Sequence, residues 1–304
     1  AGRVPRHEQF LIVAMRSLLF VPGDDERKLA KGLASAADVL ILDFEDSVAQ
    51  KRKPAARKLC AEVLRTAQTD KILYVRINAL DTEFASEDLS AVVASKPAGI
   101  MLPKCRHGTD ARTLDALLSK LETEAGLLVG AIGILPIATE TGASMFGLGT
   151  YAEPAIPRLH GLLWGAEDLA ADIGSLGKHD AQGHYTAPYQ LARSLCLFGA
   201  AAASTIAIDA VYVDFRNLAG LRAEAEAGVR DGFSAKAAIH PDQVGPINEV
   251  FTPSQADVDA ARHIVAAFDA QPGVGVVAMD GKMVDRPHYV AAQRVLARAR
   301  KRLS

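Results

Sequence analysis

Eight short apolar runs alternate with Ala-rich, charged segments of helical period from Arg16 to about residue 250, and nearly every run ends in charge. This pattern predicts an α/β fold, a (β/α)8 or TIM barrel. A buried parallel strand needs no polar face, so it reads as a continuous apolar run. The segment between two such runs supplies the right-handed crossover helix. An open doubly wound sheet is the alternative. No GxGxxG follows the first run, however, and eight strands favour closure.

Taken in order, the expected strands are Ser17–Val21, Val39–Phe44, Ile72–Ile77, Gly99–Leu102, Gly130–Ala138, Leu159–Trp164, Ala210–Asp214 and Ala237–Ile239. The expected helices between them include Asp25–Ala36, Lys53–Thr66, Thr109–Glu124, Ala187–Gly199 and Leu218–Asp231. Residues 149–158 carry two prolines and read as a connection. After the eighth strand the alternation stops. Phe251–Asp269 reads as a helix opened by Thr252-Pro253-Ser254. A short element, Gly275–Met279, a turn at Asp280-Gly281 and a last helix ending in RARKR follow. The expected organisation is an N-terminal extension (1–15), a barrel domain (16–250) and a C-terminal helical lid extension (251–304).

The chain has 304 residues, is 49% hydrophobic and carries a formal net charge of -2. That is enough to bury a sizeable core, and it gives no reason to expect nucleic acid or an anionic membrane as partner. Cys60, Cys105 and Cys196 are far apart and lack CxxC spacing, which argues against a disulfide framework or a zinc site and for a reducing, cytoplasmic setting. The apolar run Phe10–Met15 is too short for a membrane span, and residues 1–14 read as an extension or a loosely docked arm.

The strand ends carry the chemistry. The stretch Leu159–Asp172 shows it best: the apolar run stops at Gly165, and Glu167 and Asp168 follow at once. The other tips offer Asp24-Asp25, Asp43-Phe44-Glu45-Asp46, Arg76-Ile77-Asn78, Pro103-Lys104, Thr139-Glu140-Thr141, Asp214-Phe215-Arg216 and His240-Pro241-Asp242. Charge emerging from a core is costly unless paired or solvated, so a whole ring of it points to a site at the C-terminal rim. Glu140 and Asp168 lie on neighbouring tips, and two such carboxylates suit magnesium, which leaves its other positions to water and substrate oxygens. No His/Cys cluster competes, which disfavours zinc or iron. The alternative is that Glu140 only accepts loop amides. Arg76, on a buried strand, needs a carboxylate or phosphate, supplied either by substrate or by the acids of residues 43–46. Arg27 and Lys31 share a helix face with Lys28 nearby, either a solvated face or a phosphate site. His240-Pro241 is either a plain turn or a wall for an adenine ring. Lys104 and Lys236 are placed near strand ends rather than at strand centres, which disfavours Schiff-base chemistry.

The motifs RSLLFVPG (16–23), LDFEDSV (42–48), VRIN (75–78), LPK (102–104), GAED (165–168), AID through VDF (207–215), AIHP (238–241) and GKMVD (281–285) occur in one order. Together they resemble the citrate lyase beta-subunit-like family, which includes malyl-CoA and citramalyl-CoA lyases, over essentially all of the chain from Arg16 onward. The resemblance implies a magnesium-dependent barrel, commonly a homotrimer, that cleaves or forms the carbon–carbon bond of a 3-hydroxyacyl-CoA thioester. By motif, Glu140 and Asp168 are the magnesium ligands and Arg76 holds the carboxylate of the 2-oxo acid. Arg27, Lys31, Ile239 and His240 match coenzyme A contacts. Asp285 matches an acid that some members supply from the neighbouring subunit. Ser234-Ala235-Lys236 departs from the family, where Gly commonly precedes the Lys, and Arg27 stands where a Lys is usual.

The chemistry agrees with these residues. Retro-Claisen cleavage needs a Lewis acid on the forming carbonyl, an oriented carboxylate and a proton donor to the thioester enolate, and Asp285 is the candidate for the last. Two alternatives remain: a citrate lyase beta subunit acting on an acyl-carrier-protein thioester inside a complex, and a non-catalytic CoA-thioester binding protein.

Overall fold

A computed structural model describes residues 15–279 and 281–299. The expected arm at residues 1–14, Asp280 of the expected turn and the basic tail from Arg300 lie outside the described residues. The chain falls into two compact units, one spanning Arg16–Asn248 and another that takes Glu249 onward together with Met15.

The larger unit holds eight parallel strands: β1 (Ser17–Pro22), β2 (Val39–Asp43), β3 (Ile72–Arg76), β4 (Gly99–Leu102), β5 (Gly133–Pro136), β6 (Leu162–Leu163), β7 (Ala207–Asp209) and β8 (Ala235–Ala238). Their order is β5-β4-β3-β2-β1-β8-β7-β6. Parallel bridges Ile134–Leu159 and Ile137–Leu163 join the two ends, so the sheet closes into a barrel. Around it run α1 (Glu26–Ala34), α2 (Lys53–Thr66), α3 (Ala85–Val92), α4 (Gly108–Glu124), α5 (Glu167–Asp172), α6 (Ala187–Ala202), α7 (Leu218–Asp231) and α8 (Val244–Phe251). No helix among the described residues is long and apolar enough to cross a membrane.

Local chemistry sets the helix ends. The Asp25 carboxylate accepts the Lys28 amide at 3.0 Å and caps α1. Pro54 sits in the first turn of α2, where a missing N–H costs nothing. α7 stops at Gly232, whose φ of 113° few other residues adopt readily.

Register fixes which side chains face the lumen. Phe20, Ile41, Tyr74, Gly99 and Gly133 form one row, and Pro22, Asp43, Arg76, Met101 and Leu135 the row above it. Tyr74 reaches across to hydrogen-bond His160, just ahead of β6, so these rows point inward. At Gly133 a Cβ would fall inside the His160 ring, which is why the lumen needs glycine there.

β5 and β6 are shorter than the sequence-based expectation of Gly130–Ala138 and Leu159–Trp164, and two further strands are shifted along the chain. β7 is Ala207–Asp209 rather than Ala210–Asp214, because the fully buried Asp209 sits inside the true strand and breaks its apolar run. The alternation in AVYVD instead belongs to a rim loop. β8 is Ala235–Ala238 rather than Ala237–Ile239, which brings Lys236 into the strand as its second residue, near the N-terminal end. Lys236 is fully buried on the outer face of the barrel. Its ammonium bonds Glu224 of α7 at 2.6 Å and the Ala210 carbonyl at 2.8 Å, and lies 3.5 Å from Asp209. Asp209 also accepts Trp164 Nε1 at 2.6 Å and pairs with Arg193 of α6 at 3.1 Å. Lys236 thus lies near a strand end as expected, and it is locked into an ion network between barrel and helices.

The second unit contains α9 (Gln255–Asp269), a β9 (Val276–Met279) and β10 (Lys282–Asp285) antiparallel hairpin, and α10 (Arg286–Ala299). Ser254 and Asp257 cap α9 reciprocally. α9 and α10 pack together, with Phe268 and Tyr289 rings 5.2 Å apart.

Candidate active site

The C-terminal tips of β2 to β6 converge on a ring of alternating charge. Arg76, the last residue of β3, is gripped bidentately by Asp43 at the end of β2, with Nε–Oδ1 at 2.6 Å and Nη2–Oδ2 at 2.7 Å. Its Nη1 lies 2.8 Å from Glu45 Oε2, and its guanidinium stacks 4.9 Å from the Phe20 ring centroid. Asp43 also accepts the amides of Glu45 and Ser47 at 2.9 and 3.3 Å, so one buried carboxylate fixes both the arginine and the β2 loop.

Lys104 follows β4 with a left-handed φ of 55°. Its ammonium bonds Glu45 Oε1 and lies 3.5 Å from Asp168 and 3.7 Å from Asp46. Its backbone amide bonds Glu140 Oε2. Glu140 is buried, and Asp168, at the start of α5, makes a side-chain contact with it. Gly165 leaves the space: a Cβ there would lie 2.9 Å from Glu140 Cγ and 3.0 Å from Ile137 Cγ2.

Electrostatics sorts the acids. Burial works to raise the Asp43 carboxyl, but Arg76 outweighs it and holds it below the usual range. Burial pushes Glu45 up, only partly opposed by Arg76 and Lys104. Glu140 is pushed well up, first by burial and then by Asp168 beside it, with Glu45 adding to the effect. Burial works to lower Lys104, but Glu45, Asp168 and Asp46 hold it firmly protonated. Glu45 Oε2 is buried and has no aligned hydrogen bond. Among the described residues no three His, Cys, Asp or Glu side chains converge as a ready metal cage.

A buried scaffold supports the ring from behind. Lys53 of α2 donates to the carbonyls of Phe44 and Glu45 at 2.7 and 3.3 Å and to Asn78 Oδ1 at 2.7 Å. Asn78 donates to Asp88, which pairs with Arg57 at 2.7 Å.

The structure brings Arg76, Glu140 and Asp168 together and adds Asp43, Glu45 and Lys104. Glu140 accepts a loop amide, from Lys104, and also faces Asp168. Arg76 has the acids of β2 as resting partners. Arg27 and Lys31 are exposed on α1, where Arg27 and Lys28 border an open cleft of about 530 Å³ with Asp24, Asp25 and Arg52. Ile239 and His240 leave β8, which pairs with β1, so they neighbour the α1 corner of the rim. His240 stacks on Phe215 with centroids 4.8 Å apart. Asp285 ends β10 in the second unit, exposed and bonded to His288 Nδ1 at 2.5 Å, which holds its carboxyl down.

A closed (β/α)8 barrel with paired acids and a clamped arginine at its C-terminal rim is the layout of a barrel enzyme. The chain belongs to the HpcH/HpaI aldolase/citrate lyase family, whose model matches residues 16–241. A relative called (3S)-malyl-CoA thioesterase, from Cereibacter sphaeroides, is 37% identical over 287 residues, covering 93% of this chain and 94% of the relative. The citrate lyase subunit beta of Leuconostoc mesenteroides subsp. cremoris is 32% identical, covering 92% of each. The solved CitE protein of Mycobacterium tuberculosis, in complex with magnesium, acetoacetate and coenzyme A, matches with a TM-score of 0.75 at 32% identity, over 95% of this chain and 99% of that one.

Proposed function

We propose that this protein is a magnesium-dependent carbon–carbon lyase that splits a 3-hydroxyacyl-CoA thioester, such as malyl-CoA or citramalyl-CoA, into acetyl-CoA and a 2-oxo acid. The ring Asp43–Arg76–Glu45–Lys104 beside Glu140 and Asp168 carries this reading. The relative solved with magnesium, acetoacetate and coenzyme A supports it.

The donors fit a hard divalent cation. Glu140 and Asp168 are both carboxylates, neither N nor S donors belong to the pair, and Asp168 disfavours the charge of the buried Glu140 until a cation is present. Glu140 and Asp168 would hold the magnesium ion, which would supply Lewis-acid chemistry to a substrate oxygen. Arg76, pre-aligned by Asp43, orients the substrate carboxylate through its remaining N–H groups. In cleavage a carboxylate of the ring accepts the hydroxyl proton, the C2–C3 bond breaks, and its electron pair stays on the thioester side as an enolate. Asp285, contributed across a homotrimer as the family resemblance implies and held charged at rest by His288, first takes up a proton and then delivers it to that carbon. Arg27, Lys31, Ile239 and His240 serve the coenzyme A end, with Phe215 extending the aromatic wall.

The 37% identical relative called a malyl-CoA thioesterase favours a second reading, in which water cleaves the thioester bond instead. The test is incubation of the purified protein with malyl-CoA and citramalyl-CoA, with and without magnesium, followed by chromatography. Acetyl-CoA plus oxo acid, formed only with magnesium, is the expected result. Free CoA plus the intact hydroxy diacid establishes hydrolysis. Turnover of an acyl-carrier-protein thioester alone establishes the citrate lyase beta reading, and binding without product a non-catalytic one.

A further inference from the structure

We propose that Lys104 is a resident counter-cation that sets how tightly the Glu140–Asp168 pair takes a divalent metal ion, a role that rests on the metal reading above. One residue touches the pair twice. Its backbone amide bonds Glu140, and its ammonium lies 3.5 Å from Asp168 Oδ2 while bonding Glu45. Holding both at once requires the left-handed φ of 55°, a conformation disfavoured for any residue with a Cβ. Such a conformation persists where its surroundings impose it, and here the surroundings are the carboxylates of three strand tips.

The ammonium has two consequences of opposite sign. It partly neutralises the acids, so the ring forms before a metal arrives and repels an anionic substrate less than the bare carboxylates would. It also repels a dication placed on Asp168, because two like charges a few ångströms apart in a half-buried site are poorly screened. The 38% exposure of its side chain gives the ammonium room to withdraw toward Glu45 and Asp46. A lysine that merely braced the loop would lose stability on neutralisation and leave metal affinity equal or weaker. A counter-cation, when neutralised, leaves metal affinity stronger.

The experiment is manganese(II) titration of the metal-free protein, with free ion counted by electron paramagnetic resonance, on wild type, Lys104→Gln, Lys104→Arg and Glu140→Gln. Thermal melts confirm that each is folded. We expect Lys104→Gln to bind Mn²⁺ about tenfold more tightly than wild type, with Lys104→Arg close to wild type and Glu140→Gln not binding. Lys104→Gln should also raise KM for the thioester more than it lowers kcat. Equal or weaker Mn²⁺ binding by Lys104→Gln, with wild type binding normally, overturns the counter-cation role alone. An Arg variant as tight as the Gln variant overturns it too, by assigning the effect to side-chain shape. Absence of Mn²⁺ binding in wild type overturns the metal reading itself, and this proposal with it.

Discussion

Asp43→Asn tests whether the site is held together by the charge of one buried carboxylate. The substitution keeps size and shape but leaves Arg76 facing an amide. Asp43 is 1% exposed and accepts two guanidinium hydrogen bonds at 2.6 and 2.7 Å, so it is the main counter-charge of an arginine whose side chain is 12% exposed. Removing one partner of a buried ion pair costs about 3–5 kcal/mol. Glu45 remains 2.8 Å from Nη1, which places the expected loss near the lower end, about 3 kcal/mol. For a chain of this size that lowers Tm by about 6–12 °C. The pH dependence has a definite sign. Arg76 depresses the folded Asp43 carboxyl, so its contribution is present above the unfolded aspartate value of about 4 and is lost as pH falls through the lower folded value. The deficit of the variant, read by circular dichroism melts, should therefore be full at pH 7 and shrink below about pH 4. A loss under about 1 kcal/mol at pH 7, or one that does not shrink in acid, would refute the assignment of Asp43 as the counter-charge that fixes Arg76.

Glu140→Gln should stabilise the metal-free protein at neutral pH by about 1 kcal/mol, since it removes a buried carboxylate that burial and Asp168 disfavour, and should abolish magnesium-dependent turnover. The gain, followed by thermal melts, should vanish on acidification, because a carboxyl raised in the folded state costs stability only when pH rises through its folded value. Gly165→Ala drives a methyl to 2.9 Å from Glu140 Cγ; the apparent magnesium constant from activity titration should weaken at least tenfold while Tm falls by only a few degrees. Lys236→Met should cost about 3 kcal/mol in urea denaturation, because Glu224 loses its 2.6 Å partner while Asp209 keeps Arg193 and Trp164. Borohydride treatment with pyruvate should leave the wild-type mass unchanged, and a trapped adduct on Lys236 would contradict its outward placement.

The barrel was legible because its strands are buried on both faces and its helices are polar on one, so periodicity alone separated them. The fold hides where charge enters a strand. Asp209 and Lys236 are charged residues inside β7 and β8, neutralised by each other and by Glu224 and Arg193, and no local pattern announces partners from two helices. Hence the apolar alternation of 210–214 mimics a strand that in fact ends at Asp209, and β8 starts two residues before its apolar run suggests. The short β6 fails for a different reason: ladder pairing stops at Leu163 while apolar burial continues through Trp164. In the site, Arg76, Glu140 and Asp168 were found because strand tips and charge coincide. Glu45 and Lys104 were visible as tip residues but not as a pair, since their contact joins non-adjacent strands and depends on a backbone angle. Lys53 had no signal, being one lysine among several at a helix start, distinguished only by burial against two carbonyls.

The charge balance of the ring narrows what it can accept. Asp43, Glu45, Asp46, Glu140 and Asp168 set five carboxylates against the guanidinium of Arg76 and the ammonium of Lys104. Asp43 is committed to Arg76, and Glu45 divides its oxygens between both cations, so the surplus negative charge resides at Glu140, Asp168 and the more exposed Asp46. A site in that state repels an anionic thioester and attracts a dication. Once the surplus is neutralised, the free N–H groups of Arg76 become the strongest anchor for a carboxylate within reach of the pair. The ring is thus suited to a ligand that presents a carboxylate and an adjacent oxygen together, as a 2-oxo acid or 2-hydroxy acid does. Cleavage and hydrolysis of malyl-CoA both begin with that ligand. Variants of the ring should lower both activities in step, whereas a change at Asp285 should alter the ratio of acetyl-CoA to free CoA, because only cleavage requires a proton at carbon.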